Sequence, residues 1–258
     1  MTIEPLAIAA LLVLILVAAF VNGTIGFGFA LLAVNALAFI FGAKSGVIVM
    51  SVLAPIVSGF QAWHHRDRRG LARRLWAMIA GGIAGTLIGT QLFVFLPAAI
   101  ISLALGLFTI GYVVDSLRAE RPPIGGATQR WLGPIAGLIG GTSNGALGAS
   151  GPIFGTYLTA IGLRGADFAF AISMAFFTLA LARIGLLAVL GQYTMELVAV
   201  GLGLALPSIL AQQLGLWFKG RLPEGMLYRA VLGVLLVAGL NLLWRAATSL
   251  MAAPPASG

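Results

Sequence analysis

Long apolar runs separated by short polar stretches fill almost the whole chain. They fall at about 6–41, 45–63, 75–95, 98–117, 132–161, 166–190, 195–217 and 223–244. Six of them suit a single membrane crossing, for which ~20 apolar residues suffice. The first and fifth differ, because each is interrupted by a polar, glycine-rich pentapeptide. Leu6–Val21 and Phe29–Phe41 flank Asn22-Gly23-Thr24-Ile25-Gly26, and Pro134–Gly141 and Pro152–Ile161 flank the stretch around Asn144-Gly145-Ala146-Leu147-Gly148. Free backbone groups in hydrocarbon are costly, so such a break persists where it lines a cavity. In carriers the breaks come in pairs, one per internal repeat. The two pentapeptides lie 122 residues apart, close to half of 258.

The pattern predicts an all-α polytopic membrane protein of two inverted-topology repeats, each a broken-helix hairpin followed by three transmembrane helices. Repeat one covers 5–118, a polar linker 118–131, repeat two 132–247, and 248–258 reads as a disordered tail, all within one transmembrane domain. Other matches at the same spacing are Ser51 with Ser173 and Gln91-Leu92 with Gln213-Leu214. The pairs Leu96-Pro97 and Leu222-Pro223 are 126 apart, so repeat two carries a short insertion. Charge chooses between two topologies. With the Arg66–Arg74 loop cytoplasmic, single crossings at the broken runs leave nine basic residues inside and five outside. Hairpins leave twelve inside and only Lys44 and Arg245 outside, with Arg183 in mid-span in both cases. The positive-inside rule favours hairpins, which place both termini on the periplasmic side of a bacterial inner membrane.

Composition agrees. Hydrophobic residues make up 60% of the chain and charged residues 9%, against about 25% charged in soluble domains, and the mean hydropathy is +1.06. The net charge of +8 would suggest nucleic acid in a soluble protein. Here it belongs to short loops, where arginines set topology and touch anionic lipid, so membrane lipid is an expected partner and nucleic acid is not. Residues 1–5 carry Glu4 and no Lys or Arg, so no cleavable signal is expected at the N-terminus. There is no Cys, and the two histidines are the adjacent His64-His65. No metal site and no cofactor are expected. The motif Gly148-Ala149-Ser150-Gly151 matches an intramembrane serine-protease signature, but no histidine follows it to act as base. The chain is therefore not expected to be an enzyme.

The candidate chemistry gathers at the breaks. Helices restarting near Phe29 and Pro152 would present unpaired N–H groups and positive dipole ends, which suit an anion. Asn22, Thr24, Thr142, Ser143, Asn144 and Ser150 add neutral hydrogen-bonding groups, and Gly23, Gly26, Gly145 and Gly148 permit close approach. Arg183 lies in mid-span with no acidic neighbour in sequence, and such a charge usually faces a cavity and a partner. A small anionic substrate is the partner expected. Its repeat counterpart is the neutral Gln61. Gln91 and Gln213 occupy matching positions and join the candidate substrate-binding set. Gly81, Gly85 and Gly89 form a close-packing stripe, used either within the fold or between the protomers of a homodimer.

The segments Val21-Asn22-Gly23-Thr24-Ile25-Gly26-Phe27-Gly28 and Gly140-Gly141-Thr142-Ser143-Asn144-Gly145-Ala146-Leu147-Gly148 resemble the paired glycine-rich signatures of the TauE/SafE (TSUP) sulfite exporter family. The resemblance extends over nearly the whole chain: length, number of spans, the basic loop after the second span and the central linker. The chain departs from many members in reading Gly26-Phe27-Gly28-Phe29 where a denser glycine run is common. The resemblance implies transport, most naturally export, of sulfite or an organosulfonate such as sulfoacetate across the bacterial inner membrane. The residues themselves select only the sign of the substrate. An anion-selective channel, or a carrier of a carboxylate without sulfur, satisfies them equally.

Overall fold

The computed structural model describes residues 5–26, 28–117, 126–221 and 224–251. These residues form ten α-helices: α1 Pro5–Ile25, α2 Phe29–Phe41, α3 Ala43–His64, α4 Ala72–Phe95, α5 Ala98–Ser116, α6 Gly126–Leu147, α7 Gly151–Ala160, α8 Gly165–Val189, α9 Met195–Phe218 and α10 Glu224–Met251. A short 3₁₀ segment, Arg66–Leu71, joins α3 to α4. Among the described residues seven helices (α1, α3, α4, α5, α8, α9 and α10) are long and apolar enough to cross a membrane, and α2 is a shorter apolar helix. Their outward faces are apolar, as Val13, Leu206 and Val237 show. Trp63, Trp76, Trp131 and Trp217 are exposed near the end of the bundle that carries the basic loop, where amphipathic rings settle at a membrane interface.

Several boundaries differ from those read from the sequence. The second hairpin arm, Phe29–Phe41, is as expected, but α1 and α6 continue through the pentapeptides before stopping. They stop at glycines: Gly26 has φ 96° and Gly148 φ 75°. Each donates its N–H to the carbonyl of an asparagine, Gly26 to Asn22 and Gly148 to Asn144, both at 2.8 Å. A left-handed glycine is a usual helix terminator, so each break is three residues or fewer. Helix α6 begins at Gly126, inside the expected linker, because Ala-Thr-Gln-Arg is helix-compatible once the Pro pair is passed. Helix α10 runs to Met251, four residues into the expected tail. The rest of that tail and most of the linker lie outside the described residues.

Helix pairing is set by glycines that let backbones touch. Gly81, Gly85 and Gly89 of α4 lie against Pro134, Leu138 and Thr142 of α6, in ascending order, so the two helices are parallel. Gly137, Gly141 and Gly145 of α6 answer against Met78, Gly82 and Thr86. The α4 stripe is thus spent within the chain and offers nothing to a second protomer. Helix α1 meets α9 in the same manner, Gly23 against Gln212 and Leu216, and Gly215 against Phe20. Helix α5 is antiparallel to α10 (Gly106 meets Leu243, Ile110 meets Gly239). Helix α3 is antiparallel to α8, with Gly59 against Phe177 and Ser51 bonded to Tyr193 just beyond α8.

The broken runs are hairpins that open to opposite ends of the bundle. Tyr157 Oη donates to the Gln129 carbonyl at 3.3 Å, and Arg74 Nη2 donates to Gln129 Oε1 and the Ile161 carbonyl, both at 3.2 Å. Helix α7 therefore returns to where α6 began, beside the basic loop. At the other end, Lys44 at the start of α3 donates to the Val94 carbonyl at the end of α4 (3.1 Å).

Candidate functional site

Two polar constellations sit deep in the bundle, one at each break. At the first, Asn22 Nδ2 donates to Gln61 Oε1 at 2.7 Å. Gln61 Nε2 donates to the Gly26 carbonyl at 3.2 Å, and Gln212 Nε2 donates to Gln61 Oε1 at 3.1 Å. Gln61, in the last turn of α3, thus straps the first break in place. At the second, Arg183 Nη1 donates to the Asn144 carbonyl at 2.8 Å. Arg183 occupies in α8 the place of Gln61 in α3, and each side chain holds the break of its own half.

The two constellations differ in how well they are satisfied. Arg183 is 2% exposed, and its Nε and Nη2 have no hydrogen-bond partner. Its guanidinium lies 5.7 Å from the centroid of the Phe93 ring. No carboxylate is recorded in ion-pair contact with it among the described residues. Ser150, 1% exposed, precedes α7 without capping it, and its Oγ is also unpartnered. A buried donor left unsatisfied costs about 1–3 kcal/mol, and more for a charged group. Several around one break mark a place for water or a ligand.

Both breaks line one cavity of about 30 Å³ between α3 and α8, with Asn22, Phe29 and Gln61 among its walls and Asn144, Gly148, Ser150 and Phe176 facing them. A cavity of this size holds a water or two, too little room for an anion. The breaks are not level within it. Gln61, beside the first, is in the last turn of α3. Gly148, at the second, adjoins Val47 in the first two turns of α3. Along that axis the residues they adjoin on α3, Val47 and Gln61, are about 21 Å apart. The expectation of two loops meeting at the midplane is corrected: α1 and α6 each reach past the middle, because their helices continue until the terminal glycine.

The other candidates divide. Thr24 Oγ1 is spent on the Val21 carbonyl and Thr142 Oγ1 on that of Leu138, each within its own helix. Ser143 Oγ donates to the Ala149 carbonyl and braces the second break. Gly23 and Gly145 press on the backbones of α9 and α4, not on the cavity. Gln91 and Gln213 are exposed on the outer faces of α4 and α9, away from both constellations. Gln212, fully buried, takes the inward place. Its signal was present in the sequence, because the 126-residue spacing of Leu96-Pro97 and Leu222-Pro223 also governs α4 and α9. By that spacing Gln212 matches Thr86, and the two face Gly23 and Gly145 respectively.

The family model described as "Sulfite exporter TauE/SafE" matches residues 11–242. No curated protein and no solved structure matches the chain.

Proposed function

The chain belongs to the TauE/SafE sulfite exporter family, and from that we propose that it exports a small sulfur-containing anion, sulfite or an organosulfonate, held beside Arg183. It is a multi-pass membrane transporter of that family and not an enzyme. The observation that carries the substrate site is the unpaired Nε and Nη2 of buried Arg183 at the second break. An anion there would accept from those two N–H groups, from Ser150 Oγ and from the Gly151 N–H at the start of α7, where the helix dipole adds positive potential; Pro152 has no N–H, and Ile153 and Phe154 donate to the Ser150 carbonyl. Asn22, Asn144 and Gly148 complete the walls.

We read the chain as two inverted repeats. The antiparallel pairing of α3 with α8 and of α5 with α10 supports this, as does the exchange of α4–α6 contacts for α1–α9 contacts. Both hairpins would then rock around the shared cavity and open it to either face in turn. A cavity too narrow to pass an anion favours a carrier over an open channel. With the basic loop cytoplasmic, both termini are periplasmic. An interior-negative potential drives an anion outward by ~2.3 kcal/mol per charge per 100 mV, so export requires no coupled ion.

The test is counterflow in proteoliposomes. Labelled sulfite or sulfoacetate should accumulate against unlabelled anion inside, and each should compete with the other. Failure of both anions to exchange through folded protein would overturn the reading.

A further inference from the structure

Lys44 contradicts two rules at once. It stands in the first turn of α3, where the helix dipole disfavours a cation. It also lies at the end of the bundle opposite the basic loop, where membrane proteins carry few lysines. Its position explains why it is tolerated. The half-buried ammonium donates to the Val94 carbonyl at 3.1 Å and lies 5.8 Å from the centroid of the Phe93 ring. Arg183 lies 5.7 Å from the same centroid. The two cations are therefore at most 11.5 Å apart, those distances laid end to end, with a fully buried phenyl ring beside both. No carboxylate ion pair is recorded for either among the described residues.

We propose that Lys44 is a second anion station, through which the substrate passes between Arg183 and the face of the membrane opposite the basic loop, with Phe93 as the partition between the two. Resting on the reading of Arg183 as the substrate site, this adds the route by which that site communicates with one face. An anion leaving the guanidinium meets a second positive charge before it meets bulk water. The partition closes the route while both cations rest near the ring. Movement of the end of α4, which carries Phe93 and the carbonyl that holds Lys44, opens it.

The chain has no cysteine, so Lys44→Cys gives a single thiol for charge replacement in the folded protein. Exchange of labelled sulfoacetate, which unlike sulfite does not cleave the mixed disulfide, is measured in proteoliposomes of one orientation, with labelling followed by mass. The expected result is exchange at least threefold slower in Lys44→Cys, restored by an aminoethyl thiosulfonate that returns the ammonium. A sulfonatoethyl reagent abolishes it further. The advantage of wild type over Lys44→Cys should shrink at high ionic strength, which a purely structural lysine would not show. Exchange insensitive to the charge attached, or a thiol that no aqueous reagent reaches, overturns the station. If wild type itself exchanges no anion, the Arg183 reading fails first. If wild type exchanges and Lys44→Cys matches it, Lys44 alone is refuted.

Discussion

Replacing Arg183 by glutamine gives the second half the residue that the first half carries at this place. Gln61 holds the first break through its 3.2 Å bond to the Gly26 carbonyl. Arg183→Gln removes the charge and, with a shorter side chain, gives up the contact with the Asn144 carbonyl, which still accepts from the Gly148 N–H. A unit charge about 4 Å from a bound anion is worth about 4 kcal/mol at an effective dielectric of about 20. Part of that is offset by the cost of stripping water from the anion, which leaves about 2–4 kcal/mol, or about 30- to 1,000-fold in Kd. The measurement is titration of sulfite and an organosulfonate into purified wild type and variant, with a thermal melt of each in detergent. The variant should melt near wild type, since shedding an unpaired buried charge offsets the one hydrogen bond lost. It should lose most of its anion affinity, and added salt should not mimic the loss, because a buried charge is weakly screened. Anion binding within threefold of wild type, with the fold intact, would show that the guanidinium is only a strap.

Four further outcomes follow from contacts elsewhere in the bundle. Gln61→Ala strands the Asn22 amide, the Gln212 amide and the Gly26 carbonyl, and at about 1–3 kcal/mol per stranded group, reduced if the two amides pair with each other, stability should fall by at least about 2 kcal/mol in a detergent unfolding assay. Gly141→Ala puts a methyl group against the Gly82 backbone, so overpacking should cost about 1–3 kcal/mol by thermal melt. Gly185→Ala, where nothing lies within 4 Å, should be neutral or slightly stabilising by the same measurement. His65, at the end of α3, has its pKa held below 6.5 by burial and then by the neighbouring His64 and Lys219. The unfolded chain then binds the proton first, so stability is full above about pH 6.5 and falls on acidification below it. His65→Gln should flatten that part of a Tm-against-pH profile.

The membrane class, the doubled break and the mid-span charge of Arg183 were legible in the residues, whereas Gln61 stood out only as the neutral counterpart of Arg183 and its bonds to the first break came from the structure. The legible features are local signals: polar and glycine-rich stretches are conspicuous in hydrocarbon because their backbone and side-chain groups must find partners there. A count of arginines and lysines on each side pointed to hairpins, since such a count does not depend on packing. What the tertiary structure alone decided was rotation and depth. The 122-residue spacing favoured Gln213, and the structure shows that the 126-residue spacing holds for α4 and α9, where Gly23 and Gly215 press between α1 and α9 and turn Gln212 inward. Gly23 and Gly145 had the composition of ligand-approach glycines and became packing glycines, because another helix backbone stands opposite each. The stagger of the breaks rests on where Gly26 and Gly148 end their helices relative to α3. In water a helix announces its inner face by an apolar stripe, but lipid is as apolar as the protein interior. The sequence therefore determined which elements exist and where they break, and the fit of backbone against backbone determined which faces they turn to the cavity.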